Sequence, residues 1–294
     1  MRRLKLDGVL LLDKPVGPSS SAVLQAVKRL LQAEKAGHAG TLDPLASGLL
    51  PLLFGEATKF AQFGLDSAKE YVASIQLGVS TDTGDAEGAV LEQCAVDVDE
   101  ARLARALDRF RGQIGQVPPM YSALKHEGQP LYALARAGRT VERSSRQVTV
   151  HELELLERTG DLVRVRLRCS KGTYVRQLAA DLGAELGTGA HLQALRRTAV
   201  GPYRLERAVA LDDLQAMGEA ARLASLLPPD SLLEALPRVD LDEARAQRFL
   251  HGQAVPGVAP GGPCRVYREG GALLGIGEAG PENGLRPVRL VASG

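Results

Sequence analysis

The sequence predicts an α/β (α+β) protein with a small β-barrel module at its C-terminal end. Three observations predict it. Several short runs alternate apolar and polar residues, as half-buried strands do. Between them lie segments with apolar stripes at helical spacing behind serine or aspartate caps. Beyond residues 226–237 the composition shifts to glycine, proline and short strands, as in CRVYREGGALLGIGEAGPENGLRPVRLV. With 294 residues, 45% of them hydrophobic, the chain suffices for one large domain or two smaller ones. No apolar run reaches the length of a membrane span, so no membrane partner is expected. Cys94, Cys169 and Cys264 are too scattered for a disulfide framework or a zinc site, which favours a reducing cytoplasm. The net charge of +1 does not by itself announce a nucleic-acid binder.

Residues 1–15, MRRLKLDGVLLLDKP, turn from basic to apolar as a signal peptide does. The apolar run is short, broken by Asp7 and Asp13, and lacks a small-residue cleavage site, so it reads as a strand. A proline–glycine turn ends it, with Lys14 read as a solvated turn lysine. Ser19, Ser20 and Ser21 then offer caps for a helix whose apolar face is Val23, Val27, Leu30 and Leu31. Next, Asp43 sits in GHAGTLDPLASGLLPLLFGEATK, among glycines, small residues and aliphatics. Pro44 biases it toward extended geometry. Gly37, Gly40 and Gly48 allow backbone angles or close approaches that a side chain would block. Two readings stand here. Asp43 caps a turn, or it is an acid on apolar ground that needs a cation from elsewhere in the chain.

Tyr71, Ala73, Ile75 and Leu77 alternate on one strand face, where a tyrosine is ordinarily a core residue. TDTGDAEG reads as a tight turn between strands. Its Asp82-Thr83-Gly84 matches the aspartic-protease signature, which needs two such acids, and its acids miss EF-hand spacing. Residues 99–111 read as a capped helix with Leu103, Leu107 and Phe110 on its core face and Gly112 past its end. Then come prolines, glycines, two tyrosines and a basic cluster of Lys125, Arg136, Arg139, Arg143 and Arg146, against Glu127 and Glu142. Aromatics interleaved with arginines suit stacking and phosphate contact with RNA, whereas residues 82–108 are acidic. In DLVRVRLRCS, Arg164, Arg166 and Arg168 face opposite to Val163, Val165 and Leu167, which reads as a sheet with one covered and one basic, wet face. Val175, Leu178, Ala179 and Leu182 form a helical stripe, with Tyr174 and Arg176 at the strand-to-helix junction. On spacing alone Arg176 is a helix-surface arginine.

GHAGTLDPLASGLL resembles the catalytic motif of the tRNA pseudouridine synthases of the TruB type, which modify uridine 55 in the T-arm loop. KPVGPSS, PPMYSALK, CSKGTYVRQLAADLG and GAHLQALRRTAVGPY are similar to further motifs of that family, and the motif order is the family's. The resemblance implies that Asp43 is the nucleophile, that Tyr71 stacks on the target base and takes part in proton transfer, and that Arg176 pairs with Asp43. It places Leu195 in the site with Arg196 and Arg197 beside it, and lets His38 fill the space left by a flipped base. Asp85 is a candidate acceptor for an active-site arginine, and Tyr174 a candidate substrate contact. An RNA-gripping loop is implied at about residues 120–147. The implied catalytic domain, residues 1–232, is a mixed, largely antiparallel sheet with flanking helices. Residues 233–294 look like a PUA-like RNA-binding domain, with a plain β cap as the competing account. No cofactor, metal or obligate protein partner is implied, and the expected partner of the monomer is the T-arm stem-loop of tRNA. The rival reading is a non-catalytic RNA-binding or RNA-folding protein on the same scaffold.

Overall fold

Alternation along the strands sets the architecture. In Lys69–Leu77, Tyr71, Ala73, Ile75 and Leu77 are buried and the residues between them half-buried. A face so apolar has to be covered, and helices cover it. The computed structural model describes residues 3–122, 124–257, 261–280 and 284–291. Its main body is a ten-stranded sheet. Across it run Val209–Ala210, Gly8–Lys14, Ala46–Phe54, Ala190–Val200, Lys69–Leu77, Leu162–Cys169, Arg146–Thr159 and Gly112–Gln116. Ala36–His38 adds to Ala46–Phe54, and Tyr203–Arg204 to Ala190–Val200. Gly8–Lys14 pairs in parallel with Val209–Ala210, as does Ala190–Val200 with Ala46–Phe54. The remaining pairings are antiparallel, so the sheet is mixed and largely antiparallel.

The helix Ser20–Leu30 starts where the Ser19 hydroxyl accepts the Ala22 amide. Its Val23 and Val27 pack against Leu10, Leu12, Leu50 and Leu52. Glu100–Arg109, capped by Asp99, and Val175–Leu186 cover another part of the sheet. There Leu103, Leu107, Leu178 and Leu182 meet Ala73, Ile75, Val163 and Val165. Burying an aliphatic side chain of this size contributes roughly 1.5–3 kcal/mol, so this layer is a large part of what holds the sheet and helices together.

The face expected to be basic is not. Arg168, Arg166 and Arg164 pair across the strand register with Glu152, Glu154 and Glu157, at 2.8, 2.9 and 4.0 Å. Glu152 and Glu154 of HELELLERT alternate in step with Arg168 and Arg166, and a register shift between Leu155 and Glu157 brings Glu157 opposite Arg164. The result is a ladder of exposed ion pairs rather than a surface for a polyanion.

The C-terminal strands Arg238–Leu241, Gly262–Arg268, Leu273–Gly280 and Gly284–Leu290 form a separate four-stranded sheet. The helix Glu243–Leu250 packs Phe249 and Ala246 against its Val239, Val266 and Leu285. Phe60, Leu233 and Ile276 form one buried cluster between this sheet and the main body, and Lys59 Nζ donates to the Leu290 carbonyl at 2.9 Å. The segment 226–237, read as a linker or domain edge, is tied down. Val9 and Leu227 exchange backbone hydrogen bonds of 3.0 and 2.8 Å, and Leu232 and Leu233 are buried. Met1 and Arg2 of the basic start, Ala123 of PPMYSALK, and residues 258–260, 281–283 and 292–294 lie outside the described residues. Among the described residues no helix is long and apolar enough to cross a membrane. Cys169 and Cys264 are buried and Cys94 exposed, all free thiols.

Candidate active site

Pro44 disfavours the helical region for Asp43, and the chain turns there. The Ala46 amide closes the turn on the Asp43 carbonyl at 3.1 Å, and the Gly17 amide holds the Pro44 carbonyl at 2.9 Å. Ser20 both donates to the Leu42 carbonyl and accepts the Leu42 amide, each at 2.8 Å. The loop is therefore fixed on either side of its acid. Asp43 Oδ2 accepts from Arg176 Nε at 3.0 Å, which decides between the capping and the ion-pair readings.

Arg176 is no surface arginine. Its side chain is 7% exposed, whereas that of Asp43 is 43% exposed. Arg176 Nη1 and Nη2 donate to the carbonyls of Thr83 and Tyr121 at 3.0 and 2.7 Å, and Asp85 Oδ2 lies 3.4 Å from Nε. Asp85 is itself buried and accepts from Thr83 Oγ1 at 2.6 Å and from the Glu87 amide at 3.1 Å. The guanidinium thus divides its donors between two carboxylates and two carbonyls, with a single prong on Asp43. Asp85 balances the buried cation, and Asp43 remains a half-open carboxylate.

Opposite the loop lies Tyr71. Burial raises its phenol above the ordinary range, and the positive charge of Arg197, its cross-strand neighbour, works the other way. Strand register sets this meeting: on Ala190–Val200, Leu195 stands opposite Ala73 and Ala46, and Arg197 opposite Tyr71 and Gly48. Arg197 is 1% exposed and donates to the carbonyls of Leu49, Thr41 and Gly40 at 2.7, 3.3 and 3.0 Å. Gly48 has φ +101°, and a Cβ there would fall 2.3 Å from the Arg197 carbonyl oxygen, so only glycine fits. Gly37 needs no such freedom, since its added Cβ would meet only Thr58 Cγ2 at 4.0 Å. Lys14 corrects the reading as a solvated lysine. It is fully buried, and Nζ donates to the carbonyls of Pro15 and Ala46, each at 2.8 Å. Burial lowers its pKa, with the nearby Asp43 charge opposing.

These residues enclose a cavity of about 630 Å³. Asp43, Tyr71, Arg176, Asp85, Tyr174, Leu195 and Arg136 all line it, together with Tyr121 and Tyr132. Tyr174 precedes the helix Val175–Leu186; its amide donates to Gln116 Oε1 at 2.8 Å, and burial raises its phenol pKa. Arg136 ends the short helix Leu131–Arg136 and stands 5.7 Å from the Tyr132 ring centroid. Of the other sequence-predicted residues, Lys125, Arg139 and Arg146 are exposed outside the cavity, and Arg143 is half-buried outside it. His38 lies on Ala36–His38, also outside it. Its Nδ1 is buried with no hydrogen-bond partner among the described residues, and burial first and Arg197 second lower its pKa. Asp82 accepts the Ala89 amide at 2.8 Å as a turn residue and takes no part in the cavity.

The family profile described as TruB family pseudouridylate synthase, N-terminal domain, matches residues 28–175. Profiles of the tRNA pseudouridylate synthase B C-terminal domain and of the pseudouridine synthase II TruB C-terminal region match residues 176–234 and 237–291. The chain belongs to the TruB family of pseudouridine synthases. Within the TruB family, the tRNA pseudouridine synthase B of Burkholderia mallei is 57% identical over 302 residues, covering 100% of both chains. That of Aromatoleum aromaticum is 52% identical over 295 residues, covering 99% of this chain and 95% of its own. Among solved structures, a chain of a Cbf5-Nop10-Gar1 complex superposes with a TM-score of 0.74 at 29% identity, over 96% of this chain and 84% of its own. Sequence reasoning named Arg197 only as a neighbour of Leu195 and did not see Ser20 or the Tyr121 carbonyl in this TruB-family site. The two-residue offset from Leu195 was the signal for Arg197, because it places both side chains on one face of the strand.

Proposed function

We propose that the chain isomerises uridine 55 in the T-arm loop of tRNA to pseudouridine, with Asp43 as the nucleophile. The observation that carries this reading is the half-open Asp43 carboxylate, fixed by Arg176 Nε at 3.0 Å at a cavity lined by Tyr71. The reaction breaks the N1–C1′ bond, turns the uracil and joins C1′ to C5. C5 loses a proton and N1 gains one, so the net change is an isomerisation. A carboxylate serves by adding to C6 of the base or by capturing C1′ of the sugar, and both routes use its ionised form. The base has to leave its stack to reach the cavity. His38 takes the vacated space. Tyr174, Leu195 and Tyr71 hold the flipped base, and Lys125, Arg136, Arg139, Arg143 and Arg146 contact backbone phosphates.

Residues 1–232 act as the catalytic domain, and residues 233–294 as a PUA-like module that extends the RNA contact. The enzyme is read as a cytoplasmic monomer, with every residue named here supplied by one chain. The relatives' names, tRNA pseudouridine synthase B, support tRNA as the substrate. The test is a T-arm hairpin incubated with wild type and Asp43→Asn, with pseudouridine and RNA affinity both measured. The variant should bind the hairpin and form no pseudouridine. Turnover by Asp43→Asn near the wild-type level would sink the assignment, and a wild type that binds without turnover would return the chain to the non-catalytic class.

A further inference from the structure

Three acidic residues line the cavity, Asp43, Asp85 and Glu87, and two of them have a cation. Asp43 and Asp85 share the Arg176 guanidinium. Glu87 is exposed, and among the described residues no hydrogen bond or ion pair engages its side chain. Its backbone is fixed all the same. The Glu87 amide is held by Asp85 Oδ1 at 3.1 Å, the Ala86 amide by the Leu192 carbonyl at 3.0 Å and the Gly88 amide by the Asp85 carbonyl at 3.2 Å. A Cβ at Gly88 would fall 2.3 Å from Thr83 Oγ1, so the turn that presents Glu87 is tightly closed.

A carboxylate set there repels the phosphates of an incoming RNA, and it accepts hydrogen bonds without donating any. It therefore suits a part of the RNA that donates and lies away from the backbone. A 2′-hydroxyl donates but sits beside a phosphate, whereas a base edge points away from one. Cytosine, adenine and guanine each carry an exocyclic amino group. Uracil offers its N3–H only between two carbonyl oxygens, which a carboxylate repels. The matching base is then a neighbour of the target uridine, and the cavity has faces for it, because Tyr121 and Tyr132 line it besides Tyr71.

We propose that Glu87 is a specificity residue, whose carboxylate accepts from the exocyclic amino group of a base adjacent to the flipped uridine and disfavours uracil at that place. The inference rests on the pseudouridine-forming reading of the cavity. Glu87 takes no part in the bond changes at C1′. It acts on which sequences enter, as contacts to flanking nucleotides do in enzymes that extrude a base.

The test uses T-arm hairpins in which the nucleotide on the 5′ or the 3′ side of the target is varied among the four bases. Affinity and kcat/KM are measured on each for wild type, Glu87→Gln and Glu87→Ala. Any effect of the base on the fold of the hairpin is common to the three proteins and cancels between them. At one of the two positions wild type should bind the uracil hairpin roughly tenfold worse than one with an amino-bearing base. In Glu87→Ala that ratio should fall to about threefold or less. Glu87→Gln, whose amide both donates and accepts, should reduce the ratio by gaining affinity for the uracil hairpin. A ratio in Glu87→Ala equal to that of wild type overturns the proposal, as does a wild type indifferent to uracil at both positions. Affinity that rises by one common factor on every hairpin in both variants also overturns it, since Glu87 would then do no more than repel phosphates. Affinity needs no turnover. A wild type that forms no pseudouridine on any hairpin, yet keeps the ratio, would indict the pseudouridine reading and leave Glu87 in its role.

Discussion

Asp43 and Asp85 share one guanidinium, yet their environments differ, and the difference sets what each contributes. Asp85 is buried, so removing its cation leaves an uncompensated interior charge; Asp43 is half in solvent, where water screens the loss. In double-mutant cycles on stability, Arg176→Met with Asp85→Asn should show a coupling of roughly 2–3 kcal/mol, and with Asp43→Asn about 1 kcal/mol or less. Equal couplings would mean that Asp43 is as desolvated as Asp85. Arg176→Lys should not restore the site, because an ammonium cannot span two carboxylates and two carbonyls. Lys69 gives a second prediction at this scale. It is buried and donates to the carbonyls of Leu65 and Ser67, and burial, then Arg197, pushes its ammonium from 10.5 down to about 8. Between about pH 8 and 10.5 the unfolded chain therefore binds more protons than the folded one at this group. Its contribution to stability rises with pH across that window, and the penalty is fully present below it. The stability of Lys69→Met minus that of wild type should fall by roughly 2–3 kcal/mol over the same interval. Urea melts at several pH values measure it, and a pH-independent difference would contradict the burial argument.

Two basic-looking elements part company once folded. The arginines of Leu162–Cys169 are each opposed by a glutamate of Arg146–Thr159, while Lys125 stands opposite Pro130 and Arg146 opposite Gln116. Replacing two of Lys125, Arg136, Arg139 and Arg146 by glutamine should weaken hairpin binding. It should also flatten the slope of log affinity against log salt by roughly 0.7–0.9 for each phosphate no longer neutralised. Arg166→Gln together with Arg168→Gln should leave that slope unchanged and cost below about 1 kcal/mol per pair in stability. A flattened slope in the second variant would move the RNA onto the ladder face. The same contrast was half-legible beforehand. Alternation identified which residues share a face, but a strand's own sequence does not say which neighbour it pairs with, and here the neighbour carries the opposite charge.

Over the whole molecule, the main sheet and the C-terminal sheet meet through Phe60, Leu233 and Ile276. Phe60→Ala should cost roughly 3–5 kcal/mol. Amide exchange should speed up in Leu273–Gly280 as well as around Phe60; a change confined to the residues near Phe60 would show that the two sheets are not coupled there. The sequence by itself determined what is local: the strands by period-2 alternation, the helices Ser20–Leu30 and Glu100–Arg109 by their caps, and the Asp43 turn by Pro44. Those signals lie within a few residues of what they specify. Through family motifs it also indicated that Arg176 would meet Asp43, which periodicity alone placed on a helix surface. Tertiary structure decided the partners. Lys14, Arg176 and Arg197 are all buried around one loop, and the arginines of Leu162–Cys169 stay in water against glutamates. A buried cation is stable only where carbonyls and carboxylates from distant segments converge on it. Those segments are 133 residues apart for Arg176 and Asp43, and 148 for Arg197 and Leu49, so only the closed sheet brings them together.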